Sequence, residues 1–321
     1  MMIDSMTLQD AYTSFLKSRD AFCSDATVRN YSFTLSYFIN FITDKCKKDP
    51  NEIFVNEIVL DDLNDYSIFL KTKIKNSSNP YIKSNGACIS SRTRKDYLKD
   101  MLVLFNYLYE NEYIDTDITK RFKLPKVYSQ PLEPLTSEEV QLIDDCYDIN
   151  TYYGSRNLAI IHLLLDEGMR AGEVLKLKRC SLNMSENYIV IKNSKYGKGR
   201  ILPMSSTAKK YLSAYLDKCS RVDDDIVFTT LNNTPLNNNS LKNLFSRLKK
   251  KSGVTRVYPH LLRHTFATSY ILGGGSVEML RVYMGHSDIQ TTQNYMHIAN
   301  EMYFLRSNIY QLDECFLKKI Y

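Results

Sequence analysis

Apolar residues return every three or four positions through the first third of the chain, the spacing that lines one face of an α-helix. The pattern predicts helices over 7–19 (TLQDAYTSFLKSR) and 26–46, where Val28, Tyr31, Leu35, Phe38 and Ile42 fall on one side. A third helix is expected over 59–74. After the breaker-rich segment 76–86 (NSSNPYIKSNG) a fourth follows over 90–112, with Ser90 or Ser91 as N-cap. These four make a small helical bundle. Pro125, Pro131 and Pro134 then interrupt a polar stretch and favour an extended connector. The expected division is therefore 1–122, a linker over 123–135, and a second domain over 136–321.

In that second part, Thr136 followed by Glu139 is a capping box that opens a helix, and 156–168 (RNLAIIHLLLDEG) reads as a buried helix. Segments 187–193 and 199–204 alternate as two strands around the glycine-bearing turn SKYGKG. A basic helix is predicted over 239–253 and a short one over 276–284. The fold class expected is mainly α, with a helical bundle first and an α+β domain with a small antiparallel sheet second.

Composition adds boundaries. A chain of 321 residues suits two domains, and a net charge of +6 permits a polyanionic partner without demanding one. Seven scattered cysteines, odd in number and without a C-x-x-C pair, indicate neither a disulfide framework nor a zinc knuckle. The first residues carry no leader pattern and no later run is apolar enough to span a bilayer. A soluble cytoplasmic protein, associated with the nucleoid, is the expectation.

The chemistry concentrates between Tyr258 and Tyr295. Pro259 suits a helix's first turn, so His260 and Arg263 lie about one turn apart, where imidazole and guanidinium can reach one phosphate. Arg170, in GMRAGE, stands where a helix gives way to a flexible turn, and Glu173 three residues on reads equally as a solvated helix residue or as a group that holds this arginine or a neighbouring histidine. His286 follows a glycine, and Tyr295 ends the polar run IQTTQNY, where fixed cations would ease ionisation of its hydroxyl. A lone tyrosine among 24 reads as packing, and a lone lysine turn as a solvated hairpin. Their company promotes both. His260 and His264 at helical spacing also read as a zinc pair, but no glutamate or cysteine accompanies them, so no metal and no cofactor is expected. His162, His264 and His297 read as structural.

Together, GMRAGEV around Arg170, the lysine turn, HLLRH from His260 to His264, Gly285-His286 and TTQNY ending at Tyr295 resemble the tyrosine recombinase (phage integrase) family in order and approximate separation. The resemblance implies a core-binding SAM-like bundle followed by a catalytic domain of the DNA breaking-rejoining type. It implies that Arg170, Arg263 and His286 clamp the scissile phosphate and that His260 accepts the proton of Tyr295. A turn lysine protonates the leaving 5′ oxygen. Counting back from Arg200-x-x-Pro203 favours Lys195, with Lys198 as a phosphate contact or substitute. Gly273–275 is a longer glycine run than the family usually has there.

DNA contacts are expected from Arg29, Arg92, Arg94 and Lys95 on the first bundle and from Lys242, Arg247, Lys249, Lys250 and Lys251 on the basic helix, each of which reads equally as a solubilising face. After Tyr295, Leu305, Ile309, Leu312, Phe316 and Ile320 form an apolar stripe that needs a cover. The resemblance supplies one: helix exchange within a homo-tetramer on a double-stranded recombination site. It also allows an accessory DNA-bending or directionality protein, and the chain resembles small Xer-like and mobile-element members without an arm-binding domain. The rivals are a type IB topoisomerase, a DNA-binding regulator without catalysis and a metal-dependent phosphohydrolase.

Overall fold

The computed structural model describes residues 6–75, 86–127, 132–192, 199–219 and 226–286, together with 292, 293, 295 and 296. The chain divides into two compact units, Met1–Ser129 and Gln130–Tyr321. No described helix is long and apolar enough to cross a membrane.

The first unit is built on α1 (Leu8–Asp20), α2 (Asp25–Cys46), α3 (Leu60–Thr72) and α4 (Ser91–Glu110). Three of the starts are fixed by hydroxyls that satisfy an orphan backbone donor: Thr7 accepts from Asp10 N, Ser24 from Thr27 N and Ser90 from Thr93 N. Ser90 is thus the cap of the fourth helix, and Ser91 is its first residue. The expected stripe of α2 is partly confirmed. Leu35, Phe38 and Ile42 are buried with Phe15, Tyr66 and Phe105, whereas Val28 and Tyr31 are only half-buried near the helix start.

The second unit comprises α5 (Ser137–Asp144), α6 (Tyr152–Leu165), α7 (Ala171–Leu175), β1 (Leu182–Asn183), β2 (Tyr188–Ile191), β3 (Arg200–Pro203), α8 (Ser206–Leu216), α9 (Asn238–Ser252), α10 (Pro259–Leu272) and α11 (Val277–Met284). The three strands run antiparallel in the order β1-β2-β3, with Ile191 opposite Arg200 as the last pair of the second ladder. Thr136 and Glu139 form the capping box of α5. Helix α6 begins four residues before the predicted start because Thr151 caps it, accepting from Gly154 N at 3.0 Å. Every residue from Asn157 to Leu165 is buried, and the helix packs between α8 and α10. The mainly helical class with a small antiparallel sheet is what the structure shows.

A histidine interrupts the apolar run from Leu158 to Leu165. His162 lies with Nδ1 2.9 Å from Asp166 Oδ2 and Nε2 2.9 Å from Asp144 Oδ1, so a carboxylate faces each ring nitrogen. Burial alone would lower its pKa, but the bonds to Asp144 and Asp166 outweigh that and push it up to about 9. Glu167 next door is 4 % exposed and accepts from Ser205 N, and burial pushes its pKa up to about 7. Both groups hold protons in the folded chain that the unfolded chain releases earlier, so stability falls as pH rises. For His162 the contribution is fully present below the ordinary value of 6.5 and lost as pH rises through about 9. The shift corresponds to on the order of 3 kcal/mol. Urea midpoints measured across this window should fall for the wild type and fall less for His162→Gln. Parallel profiles for the two proteins would refute the charged bridge.

Candidate active site

Helix α10 begins with Pro259, whose missing N–H costs nothing at that position. His260 in its first turn is open to solvent, and Arg263 one turn on is 4 % exposed. Arg263 donates from Nη1 to the Gly168 carbonyl and from Nη2 to the Met284 carbonyl at 2.7 Å, with His286 Nε2 at 3.1 Å from the same nitrogen. Close approach of these parts depends on Gly168. Its φ is +59°, and an added Cβ would lie 2.3 Å from the Phe266 ring.

Arg170 does not trail from a flexible turn, as its sequence setting suggests, but is the N-cap of α7. Glu173 on the first turn of that helix fixes it twice, accepting from the Arg170 backbone N–H at 2.8 Å and from Nη1 at 3.0 Å. The other terminal nitrogen, Nη2, donates to the Gly285 carbonyl at 2.7 Å. Gly285 ends α11 with φ +60°, and a Cβ there would stand 3.0 Å from Arg200 Nη1 and 3.3 Å from Arg170 Nη1. The Gly-His pair therefore has a conformational and a steric reason: the left-handed backbone favours glycine, and a side chain there would press on the two guanidinium groups beside the turn.

His286 follows immediately. Arg263 has only donors to offer, so Nε2 accepts, and Nδ1 carries the proton and donates to Thr292 Oγ1 at 2.9 Å. Burial first, then the charges of Arg263, Arg170 and Arg200, lower the His286 pKa to about 4. This imidazole is neutral at physiological pH. Burial and repulsion from Arg170 likewise bring Arg263 down to about 10, leaving it charged.

Tyr295 is 7 % exposed and packs with Ala267, Leu280 and Met284. Its ring lies 6.2 Å from that of His286, nearly parallel, and 5.3 Å from that of His264. Burial raises the phenol pKa while Arg263 and Arg170 oppose the rise. The hydroxyl thus sits in the field of the two arginines. His264 itself is buried and bonds to the Leu132 carbonyl, a structural anchor for the segment entering the unit. Although the residue is exposed at the helix start, partial desolvation of its ring, then the charge of Arg263, hold His260 below its ordinary pKa.

The structure brings Arg170, Glu173, Arg263, His286 and Tyr295 together, with His260 at their edge. Lys195 and Lys198 lie outside the described residues, as do His297 and the apolar stripe from Leu305 to Ile320. Among the described residues no group of three or more His, Cys, Asp or Glu is arranged to hold a metal. Of the basic residues expected to meet DNA, Arg29, Arg92, Lys242, Arg247 and Lys250 are exposed, Arg94, Lys95 and Lys249 are half-buried, and Lys251 is exposed but donates to the Cys146 carbonyl. Arg247 and Lys251 line one cleft with Arg156, Tyr147 and Tyr153, and Arg156 was not singled out by sequence.

Sequence reasoning also passed over Arg200 as a member of the site. Its side chain is 4 % exposed and forks onto Glu173, Nη1 to Oε1 at 2.8 Å and Nη2 to Oε2 at 2.7 Å. The sequence carried no clear signal: in Arg200-Ile201-Leu202 each strand face bears an apolar residue, and only the fold shows Ile201 facing outward with Arg200 and Leu202 inward.

Such a helical domain, with two fixed guanidinium groups converging on an imidazole and a phenol, has the make-up of a DNA strand-exchange enzyme. The model of the phage integrase family matches residues 133–302. The chain belongs to that family, the tyrosine recombinases. It is 25% identical over 300 residues to the tyrosine recombinase XerC of Chlamydia caviae, covering 91% of this chain and 94% of that one. It is 26% identical over 284 residues to XerD of Listeria innocua, covering 85% and 88%. Among solved structures, the Tn1549 transposon integrase in complex with circular intermediate DNA shares the fold at a TM-score of 0.71 and 19% identity, over 91% of this chain and 95% of that one. The protein is a tyrosine-type site-specific DNA recombinase.

Proposed function

We propose that Tyr295 attacks a DNA phosphodiester, forming a 3′-phosphotyrosyl ester and releasing a 5′ hydroxyl, which then attacks the ester on the partner strand. Arg170, Arg263 and His286 would hold the non-bridging oxygens. Because His286 is neutral and accepts from Arg263 through Nε2 in the free protein, a phosphate would have to displace that bond and the ring would have to carry its proton on Nε2, with Nδ1 then accepting from the Thr292 hydroxyl. Arg263 has five N–H donors, of which three are engaged among the described residues, so capacity remains. Lys195, or Lys198 in its stead, protonates the leaving oxygen in this reading. The ester conserves the bond energy, so neither ATP nor metal is needed. The observation that carries the reading is the packing of Tyr295 against His286 beneath two arginines fixed to the same helix end.

His260 is assigned as the base. Its lowered pKa keeps the ring neutral near pH 7 and able to accept a proton. Cleavage by the wild type should therefore fall as pH drops below the ordinary histidine range, where the ring protonates. His260→Gln should lose roughly 10²-fold or more and lose that limb of the profile. A variant keeping the wild-type rate and profile in single-turnover cleavage would remove His260 from the base role.

The wider assembly follows the same reading. The unit Met1–Ser129 would serve as the core-binding domain, with α2 and α4 presented to the major groove. The segment beyond Tyr295 would exchange between protomers of a tetramer that passes through a Holliday junction. Integration or excision of a mobile element is the favoured role. Resolution of replicon dimers is the second reading, favoured by the identity to XerC and XerD over most of the chain. The test is a nicked suicide duplex from the protein's own locus. A covalent adduct at Tyr295, formed equally in EDTA, is expected; adduct formation abolished by EDTA would instead indicate a metal-dependent phosphohydrolase.

A further inference from the structure

Three consecutive carbonyls close α11, and each is taken by a different arginine. Arg200 Nε donates to the Tyr283 carbonyl at 2.6 Å, Arg263 Nη2 to that of Met284 and Arg170 Nη2 to that of Gly285. A helix C-terminus leaves its last carbonyls without intrahelical donors and carries the negative end of the helix dipole, so cations are favoured there. The next residue is His286. Two of these arginines belong to the constellation already described, and the third has no assigned part.

Arg200 differs from the other two in its partners. Buried like Arg263, it spends its three engaged donors on Glu173 and Tyr283. Glu173 is in turn the group that holds Arg170 at both backbone and side chain. Burial would raise the Glu173 pKa, but the bonds from Arg200 and the Arg170 backbone outweigh it and bring it down to about 2, so the carboxylate stays charged throughout the working range. On the strand side, Arg200 pairs with Ile191 where the ladder ends, and in sequence the segment bearing Lys195 and Lys198 lies between these two residues.

We propose that Arg200 is a positioning residue for strand cleavage, acting through Glu173 and the end of α11 to tie Arg170, His286 and the end of the β2-β3 ladder into one unit. The inference rests on the phosphotyrosyl reading above. Stability alone does not account for such a pair, since apolar residues of similar volume commonly replace buried ion pairs without loss. Geometry does: a bidentate fork with a third donor at right reach for a carbonyl is something only arginine provides.

The experiment is a double-mutant cycle on single-turnover cleavage of the suicide duplex, with DNA affinity and thermal melting measured on the same proteins. Arg200→Met and Glu173→Gln are each expected to cleave about 10²-fold more slowly while binding DNA within about threefold of the wild type. The double variant should be no slower than the slower single, because both act along one line. Arg200→Lys, which keeps the charge without the fork, should cleave at least about tenfold more slowly and covers the case in which the methionine variant does not fold. Cleavage by Arg200→Lys at the wild-type rate, losses that multiply in the double variant, or losses that only follow DNA affinity or melting would each overturn the proposal. Absence of adduct with the wild type would count against the phosphotyrosyl reading itself and is thereby told apart.

Discussion

Tyr295→Phe should bind its recombination site as the wild type does and form no covalent adduct at all. Phenylalanine is the informative replacement because the ring is structural as well as reactive. It fills the space beside His286 and His264 and packs on Ala267, Leu280 and Met284. An alanine would leave a cavity that costs about 3–5 kcal/mol, and lost cleavage could then be ascribed to a collapsed site. Removal of the oxygen alone leaves the packing in place and deletes only the nucleophile. Loss of a nucleophile from a site that retains its other groups commonly costs about 10⁴-fold or more. The measurement is denaturing electrophoresis of labelled suicide duplex after incubation with each protein, beside a binding titration in matching salt. Adduct formation by the phenylalanine variant would place the linkage on another residue and end the assignment.

What the sequence disclosed of this site divides along physical lines. Periodicity disclosed the helices, since a face that must be buried writes its spacing into the chain, as Leu35, Phe38 and Ile42 do in α2. Capping chemistry is equally local, and Thr136 with Glu139 fixed the start of α5 as read. Features made by tertiary contact were not legible. Strand β1 is two residues long, and α7 is a five-residue helix, so neither offers a period to detect. The helix over Ser206–Leu216 was likewise not anticipated.

Charge shows the same division more sharply. Arg170, Arg263 and His286 were singled out through the motifs around them, and the structure brings them to one helix end. Arg200 and His162 are polar residues with a partner distant in sequence: Glu173 for the first and, for the second, Asp144, which joins the neighbouring Asp166. A buried ion is recognisable only with its counter-ion in view, because isolated burial would be prohibitive. Glu173, which the sequence leaves open between a solvated helix residue and an orienter, is 11 % exposed in the fold and is shared by two guanidinium groups.

Arg263 is the position where that dependence is greatest, and its replacement should be the most damaging of the charged substitutions. Arg263→Ala would remove the donors to Gly168 and Met284 and the partner of His286 Nε2 in one step. Two buried carbonyls left without donors cost roughly 1–3 kcal/mol each, so the alanine variant should melt well below the wild type and report little about chemistry. Arg263→Lys separates the effects. It keeps a cation in the pocket, but an ammonium on a flexible stem cannot span two carbonyls, an imidazole and a phosphate. Cleavage by this variant is expected to fall by at least about 10²–10³-fold, the loss typical when a preorganised donor to a developing oxyanion is removed. Melting should drop by less than in the alanine protein, and nonspecific DNA binding should change little because surface cations supply most of it. The telling comparison is between cleavage and melting. A lysine variant that cleaves at the wild-type rate would mean that charge alone suffices, and the fixed geometry of three arginines on the end of α11 would then have no catalytic meaning.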